Sequence, residues 1–278
     1  MFIPNHTYFP FICDEKQIAD IVVNIRKNVD DYIIKNGLKS LILGISGGVD
    51  SALCAALLRP VCNQQNIPLI GRSIAIETNT KDEIERSLQV GEAFCHDFQF
   101  MDLTDTFYEN RKNLISLDDS LLSKMRTGNM KARMRMIILY DLAQLHSGMV
   151  ISTDNYTEYL TGFWTLHGDV GDYAPVMNLW KTEVYNVSKY LLQECNEKQV
   201  YALQQCIDAV PVDGLGISSH DCEQLQVTNY YEADQLFYQY FVEKNEDLKS
   251  HPLIKRYHAS YFKRVNPISI SRELLIAK

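Results

Sequence analysis

The sequence predicts an α/β fold: a doubly wound, mostly parallel sheet with helices on both faces, followed by a helical C-terminal extension. Three observations carry this. Short β-rich apolar runs alternate with longer helical patterns through residues 40–152. The first run, SLILGI, is continuously apolar, as a strand covered on both faces must be. A glycine-rich turn follows it at once and opens a helix. The 278 residues suffice for one large domain, and no linker forces a cut. Residues 1–278 are therefore read as one unit. It has an N-terminal helix at 15–36, an α/β core at about 40–195 and a helical and loop part at about 196–278.

Each element has its own warrant. Ile18, Ile21, Val22, Ile25, Val29, Tyr32 and Ile33 recur at helical spacing, and Gly37 suits the left-handed residue that ends a helix. Residues 40–45 form the first strand, 51–58 a helix, and 68–76 a second strand. Residues 82–95 form a helix with Ile84, Leu88 and Phe94 on one side. Residues 98–103 read as a third strand, 104–115 as a helix, 129–146 as a long helix and 149–152 as a fourth strand. Beyond about residue 155 the pattern is mostly helical. Residues 211–219, PVDGLGISS, are the clearest loop by composition, and the acidic stretch 243–247 reads as solvated surface.

Composition narrows the partners. Lys plus Arg is 27 and Asp plus Glu 35, giving a formal charge of −8. Such a chain is a poor non-specific binder of nucleic acid, although a local basic pocket for one anionic ligand remains open. The seven cysteines are odd in number and lack a CxxC pair. This argues against a zinc ribbon, a thioredoxin-type site and a Cys-ligated cluster, and suits free thiols in a reducing compartment. The N-terminus lacks the basic start and apolar run of a signal peptide, and no apolar run reaches about 18 residues. The expected setting is the cytoplasm, with no membrane or nucleic-acid partner.

The most informative segment is LILGISGGVDSALCAAL. Gly44, Gly47 and Gly48 permit positive φ and close backbone approach. The N–H groups of Gly44, Ile45, Ser46, Gly47, Gly48 and Val49 can cradle a phosphate at a helix N-terminus. The hydroxyls of Ser46 and Ser51 can donate to the same oxygens. Asp50 would repel a phosphate unless Mg²⁺ lay between them. The loop is neither GxxxxGK[ST] nor GxGxxG. Its SGGxDS pattern resembles the pyrophosphate loop of ATP pyrophosphatases, which implies an adenine nucleotide alpha hydrolase-like fold.

Two further blocks extend the resemblance. One is TGNMKARMRMIILYDLAQ at residues 127–144, and the other STDNYTEYLTGFWTLHGDVGD at 152–172. With the loop, in order from about residue 40 to 181, they resemble ammonia-dependent NAD synthetases. The residues make chemical sense by themselves. Thr153 and Asp154 follow the fourth strand, at the same sheet edge as the glycine loop, where open parallel sheets bind ligands. Glu158 lies one helical turn beyond Asp154 and can join Asp50 as a second carboxylate around Mg²⁺. Arg133 and Arg135 are about 200° apart on their helix and do not share one ligand.

The resemblance assigns Thr153 and Lys181 to ATP, and Arg133, Asp172 and Lys263 to the dinucleotide. Arg135 is left as a structural ion-pair residue. Lys181 would neutralise charge as the α-phosphate is attacked, so Asp50 and Lys181 are the expected catalytic groups. The implied reaction is amidation of deamido-NAD to NAD⁺ with ATP, through an acyl-adenylate, releasing AMP and pyrophosphate. Little chain precedes the first strand, so free ammonia is the expected nitrogen source unless a separate subunit delivers it. The family is a homodimer.

Four positions depart from the family pattern. Leu166 stands at a lysine position, ahead of His167 and Asp169. Val212 stands at a Thr or Ser position and Phe262 at a His position, and the GDGGAD segment is shortened to residues 168–172. Leu166 and Phe262 fall where the family contacts the dinucleotide, so a relative that amidates another carboxylate is the alternative. A tRNA-modifying pyrophosphatase is disfavoured by the charge of −8 and the lack of paired cysteines.

Overall fold

Four short strands form one all-parallel sheet in the order β3-β2-β1-β4. They are β1 (Ser40–Gly44), β2 (Leu69–Ala75), β3 (Asp97–Asp102) and β4 (Gly148–Ile151). The structure is a computed structural model and describes residues 9–211 and 221–276. Helices α1 (Glu15–Asn36), α2 (Val49–Gln65), α3 (Lys81–Phe94), α4 (Thr104–Arg111) and α5 (Leu121–Leu145) belong to the core. Helices α6 (Tyr156–Thr161), α7 (Lys181–Leu191) and α8 (Glu197–Asp208) follow β4. The C-terminal part holds α9 (Asp221–Leu225), α10 (Tyr230–Phe241), α11 (Pro252–Ala259), α12 (Tyr261–Arg264) and α13 (Arg272–Ile276).

The chain winds outward from β1 to β3, then returns to pair β4 on the other side of β1. That reversal is the doubly wound arrangement, and it places a crevice between β1 and β4 at their carboxyl ends. Register pairs Leu41 with both Leu69 and Met149. Alternation divides the core. Leu41, Leu43, Met149 and Ile151 face the layer of α1, α2, α3, α7 and α8, whereas Ile42, Ile70 and Val150 face α4 and α5 through Phe107, Met136 and Leu139. A separate cluster of Tyr156, Trp180, Tyr230, Phe237, Leu253 and Tyr257 joins α6, the start of α7, α10 and α11.

Local signals explain the boundaries. Gly37, at φ 63°, ends α1 in the left-handed conformation, and Ile18, Val22, Val29 and Ile33 are its buried face. Strand limits agree with the sequence expectation to within a residue. Three helices differ. Helix α2 continues through Pro60, which removes one backbone donor, because Val61 and Cys62 still extend the buried face. Helix α5 begins at Leu121 rather than 129, with Ser120 accepting a hydrogen bond from the Ser123 N–H. Helix α4 stops at Arg111, short of residue 115. Residues 212–219 of the composition-based loop lie outside the described residues. All seven cysteines are free, and no helix among the described residues is long and apolar enough to cross a membrane.

Trp180 is fully buried and ties the third cluster to the chain start. Its ring lies 4.7 Å from Phe9, 5.5 Å from Phe11 and 4.7 Å from Tyr156. Trp180→Ala is expected to destabilise the protein by about 3–5 kcal/mol in urea titration. A loss below about 1 kcal/mol would mean that the cluster collapses around the cavity at little cost.

Candidate active site

A cavity of about 650 Å³ opens at the carboxyl ends of β1, β2 and β4, at the switch in strand order. The glycine loop forms one wall, from Gly44 to Asp50. Gly47 has φ 83°, and a Cβ there would lie 2.4 Å from the Glu83 carbonyl oxygen, so the loop can press against α3 only with glycine. Arg86 Nε donates to the Gly47 carbonyl (3.0 Å) from the same helix. Ser46 Oγ accepts from the Gly48 N–H (3.2 Å) and lies 3.1 Å from Ser51 Oγ. Ser51 differs from its expected role. It is buried below the loop, donates to the Gly48 carbonyl (3.0 Å) and accepts from the Ser46 N–H (3.2 Å). Its hydroxyl is thus consumed in shaping the loop and does not line the cavity.

At the end of the loop, charges converge. Asp50 opens α2 and Glu158 sits in the first turn of α6; Lys181 is the first residue of α7. The Lys181 ammonium pairs with Asp50 Oδ2 and with Glu158 Oε1 (3.1 Å), 4.9 Å from the Tyr230 ring centre. Asn155 Nδ2 donates to the other Asp50 oxygen (2.9 Å). Glu158 divides its oxygens: Oε2 accepts from the Asn155 N–H (3.2 Å) in a capping box, and Oε1 faces Lys181. Thr153 and Asp154 line the cavity beside them.

The electrostatics follow from burial. Burial pushes Glu158 up to about 8, aided by Asp50 and Asp154 and opposed by Lys181. Burial likewise raises Asp154 to about 7, with Asp169 adding to it, and Asp169 to about 7. Lys181 goes the other way. Burial alone would lower it, but Asp50 and Glu158 hold it charged, well above the usual lysine value. Lys263, on the far wall, donates to the carbonyls of Gly162 (2.7 Å) and Trp164, and burial beside Arg256 brings it down to about 8. Arg72 and Arg86 also reach the cavity, whose six cations stand against six acids, so the lining is balanced while the chain as a whole is acidic.

The remaining expected residues divide by face. Arg133 is exposed and outside the cavity, with its guanidinium on the Leu166 carbonyl (3.2 Å and 3.3 Å). Asp172 is also exposed and outside; it accepts from Tyr140 Oη (3.0 Å) and the Val150 N–H (3.1 Å). Arg135 points the opposite way, as the helical angle required. It lines the cavity and donates to the Ile74 carbonyl (2.9 Å) and Asn79 Oδ1 (2.9 Å). Its direct partners are neutral, which corrects the expected ion pair. Phe262 is about half exposed, at 48%, and Val212 lies outside the described residues.

Sequence reasoning missed several wall residues. Arg72 interrupts the apolar run LIGRSIA, a visible signal; its guanidinium meets Asp97 (2.8 Å) and the Gly71 carbonyl (2.8 Å). Asp169, Arg256 and Ser73 reach the cavity through folds of the chain that no local pattern reveals.

Among the described residues, no group of three or more His, Cys, Asp or Glu could hold a metal ion. The oxygen pair of Asp50 and Glu158 nonetheless suits Mg²⁺, which takes one or two carboxylates together with phosphate and water oxygens. The residues therefore fit an ion that arrives with phosphates. Lys181 holds that place between the carboxylates in this structure.

A parallel sheet with an SGGxDS glycine loop at its switch point, facing a buried lysine and carboxylates, is the arrangement of an ATP-using enzyme of the SGGxDS-loop class. The chain belongs to the NAD synthase family, a family of ligases, which it matches over residues 21–271. It is 31% identical to the NH(3)-dependent NAD(+) synthetase of Thermococcus sibiricus over 221 residues, 79% of this chain and 80% of that one. Its fold is similar to the NMN synthetase of Francisella tularensis, with TM-score 0.73 and 23% identity over 91% of this chain and 98% of that one. It is likewise similar to the NH3-dependent NAD synthetase of Campylobacter jejuni, with TM-score 0.68 and 21% identity over 91% and 99%.

The raised carboxylates carry a pH signature. Their folded values lie above the ordinary values of about 4, so the native state holds protons that the unfolded chain releases. The stability they contribute is fully present below about pH 4 and is lost progressively as pH rises from there to about 7 to 8, the folded values. The nucleotide-free protein is expected to melt at a higher temperature at about pH 6 than at about pH 8.5 in a thermal scan. A slope of the opposite sign would contradict the assignment.

Proposed function

We propose that the protein amidates deamido-NAD to NAD⁺ with ATP and free ammonia. The observation that carries this is the Lys181 ammonium lodged between Asp50 and Glu158, facing the glycine loop. The loop binds the nucleotide phosphates through its N–H groups, with Thr153 at the same edge. Lys181 exchanges a carboxylate for the phosphate oxygens and offsets charge as the nicotinate carboxylate attacks the α-phosphorus. The P–O bond to pyrophosphate breaks, leaving an acyl-adenylate. Ammonia then attacks the acyl carbon, loses a proton, and AMP departs. Mg²⁺, held by Asp50 and Glu158 when bound, supplies further neutralisation of phosphate charge. Positioning supplies much of the rate, and no side chain acts as a nucleophile.

Arg133 and Asp172 belong to the acceptor site at a second surface. Arg133 lies on the outer face of α5 with exposed Ile137 (68%) and Tyr140, and Asp172, in the segment between α6 and α7, accepts from Tyr140 beside them. Two copies of the chain meet there and complete the acceptor site. Sedimentation equilibrium at micromolar concentration is expected to give a dimer, and Ile137→Arg a monomer. A monomeric parent protein would remove the dimer from the proposal.

A second reading has specific support. Leu166 is apolar where the family carries a lysine, which suits an acceptor with one phosphate fewer, nicotinate mononucleotide. The fold likeness to an NMN synthetase is in keeping with it. One experiment separates the readings. The protein is incubated with ATP, Mg²⁺, ammonium and either acceptor, and pyrophosphate and amide product are measured. Faster turnover of deamido-NAD is expected; a reversed preference favours the mononucleotide, and no pyrophosphate with either overturns both. Asp50→Ala and Glu158→Ala are each expected to lower kcat by at least about 100-fold while the protein stays folded. Near-normal rates would remove these residues from the mechanism.

A further inference from the structure

Asp234 is fully buried in α10 and does not line the cavity. Its carboxylate accepts three hydrogen bonds. Thr157 Oγ1 donates to Oδ1 (2.5 Å), while the Thr182 N–H (3.0 Å) and Thr182 Oγ1 (2.6 Å) donate to Oδ2. Thr157 immediately precedes Glu158, and Thr182 immediately follows Lys181. The Lys181 N–H also donates to Thr157 Oγ1 (3.0 Å), which closes the circuit. One carboxylate thus fastens two separate backbone segments, each next to a charged group of the site.

The arrangement is more than stability requires. A buried carboxylate is costly to desolvate, and apolar packing of the same volume would hold the helices as well or better. Helix α6 has only six residues, too few to hold its own direction. Helix α7 begins at Lys181 itself, so the lysine depends on how that first turn is fastened. Asp234 fixes both segments to the same point, and thereby sets the separation of Lys181 Nζ from Glu158 Oε1.

We propose that Asp234 is a positioning residue for the reaction: it holds Lys181 and Glu158 in register so that both can act on the nucleotide phosphates. This rests on the functional reading of Lys181 and Glu158 given above. The test compares Asp234→Asn, which keeps the shape and removes the charge, with the milder Thr182→Val.

Asp234→Asn is expected to lower kcat for pyrophosphate release at least about tenfold, with the ATP KM within about threefold of the parent, since the loop still binds the nucleotide. Thr182→Val should lose less in the same parameter. In a Lys181→Met background, Asp234→Asn should cost clearly less than in the parent, because one of the two groups it positions is gone. A crystal structure of Asp234→Asn should show Lys181 displaced from Glu158.

Parent-like kcat in both variants, a loss confined to KM, or an undiminished loss in the Lys181→Met background would overturn the proposal. If Asp234→Asn does not fold, the kcat of Thr182→Val decides it. If the parent protein releases no pyrophosphate, the functional reading fails. The Lys181–Glu158 separation in the Asp234→Asn crystal then still decides whether Asp234 sets that geometry.

Discussion

The buried ammonium of Lys181 is the constraint on which the site depends. An isolated charge there would be costly to desolvate, and the pair of carboxylates makes it tolerable. Each partner comes from a different part of the fold. Asp50 comes from the turn after β1, Glu158 from the segment after β4, and Lys181 from a helix seated against the aromatic cluster. The three meet only because β1 and β4 are neighbours at the reversal in strand order. Sheet topology and site electrostatics are in this sense one requirement.

The same logic accounts for the third hydrophobic cluster. Trp180 precedes Lys181 in the chain and is packed by Phe9, Phe11 and Tyr156. Tyr156 in turn opens α6, which carries Glu158. Aromatic packing therefore sets the depth of both charged side chains, while the threonines on either side set their direction. A net charge of −8 coexists with a cavity wall bearing Arg72, Arg86, Arg135, Arg256 and Lys263. The negative balance lies elsewhere on the surface, including the exposed acidic residues Glu243, Glu246 and Asp247.

Much of the fold was legible because the strands are short, apolar and punctuated. SLILGI ends in a glycine turn, and Gly37 and the switch from period 2 to 3.6 mark the neighbouring elements. Helix α5 was underestimated because its first two turns, LLSKMRTG, show no apolar stripe; exposed Leu121 and Leu122 carry no period. At the site, motif residues adjacent to strand ends could be placed from sequence. Ser51, expected at the phosphate, shapes the loop instead, and the sequence does not separate the two uses because both need the same hydroxyl at the same position. The cavity-facing side of Arg135 follows from where α5 lies on the sheet. Asp234 is invisible in the sequence for a related reason: a single acid in an aromatic helix reads as a surface residue until Thr157 and Thr182, both far from it in the chain, are brought to it.

The internal bonding of the glycine loop has a thermodynamic consequence. Ser46, Gly48 and Ser51 satisfy one another, and α3 supports Gly47 from beneath through Arg86. The loop therefore has its shape before any nucleotide arrives, and its conformational entropy is lost during folding rather than during association. On the proposed function, nucleotide capture at this edge is then governed by collision and desolvation, with the loop acting as a rigid template. The opposite wall is built differently: there Lys263 rests on carbonyls of an irregular segment.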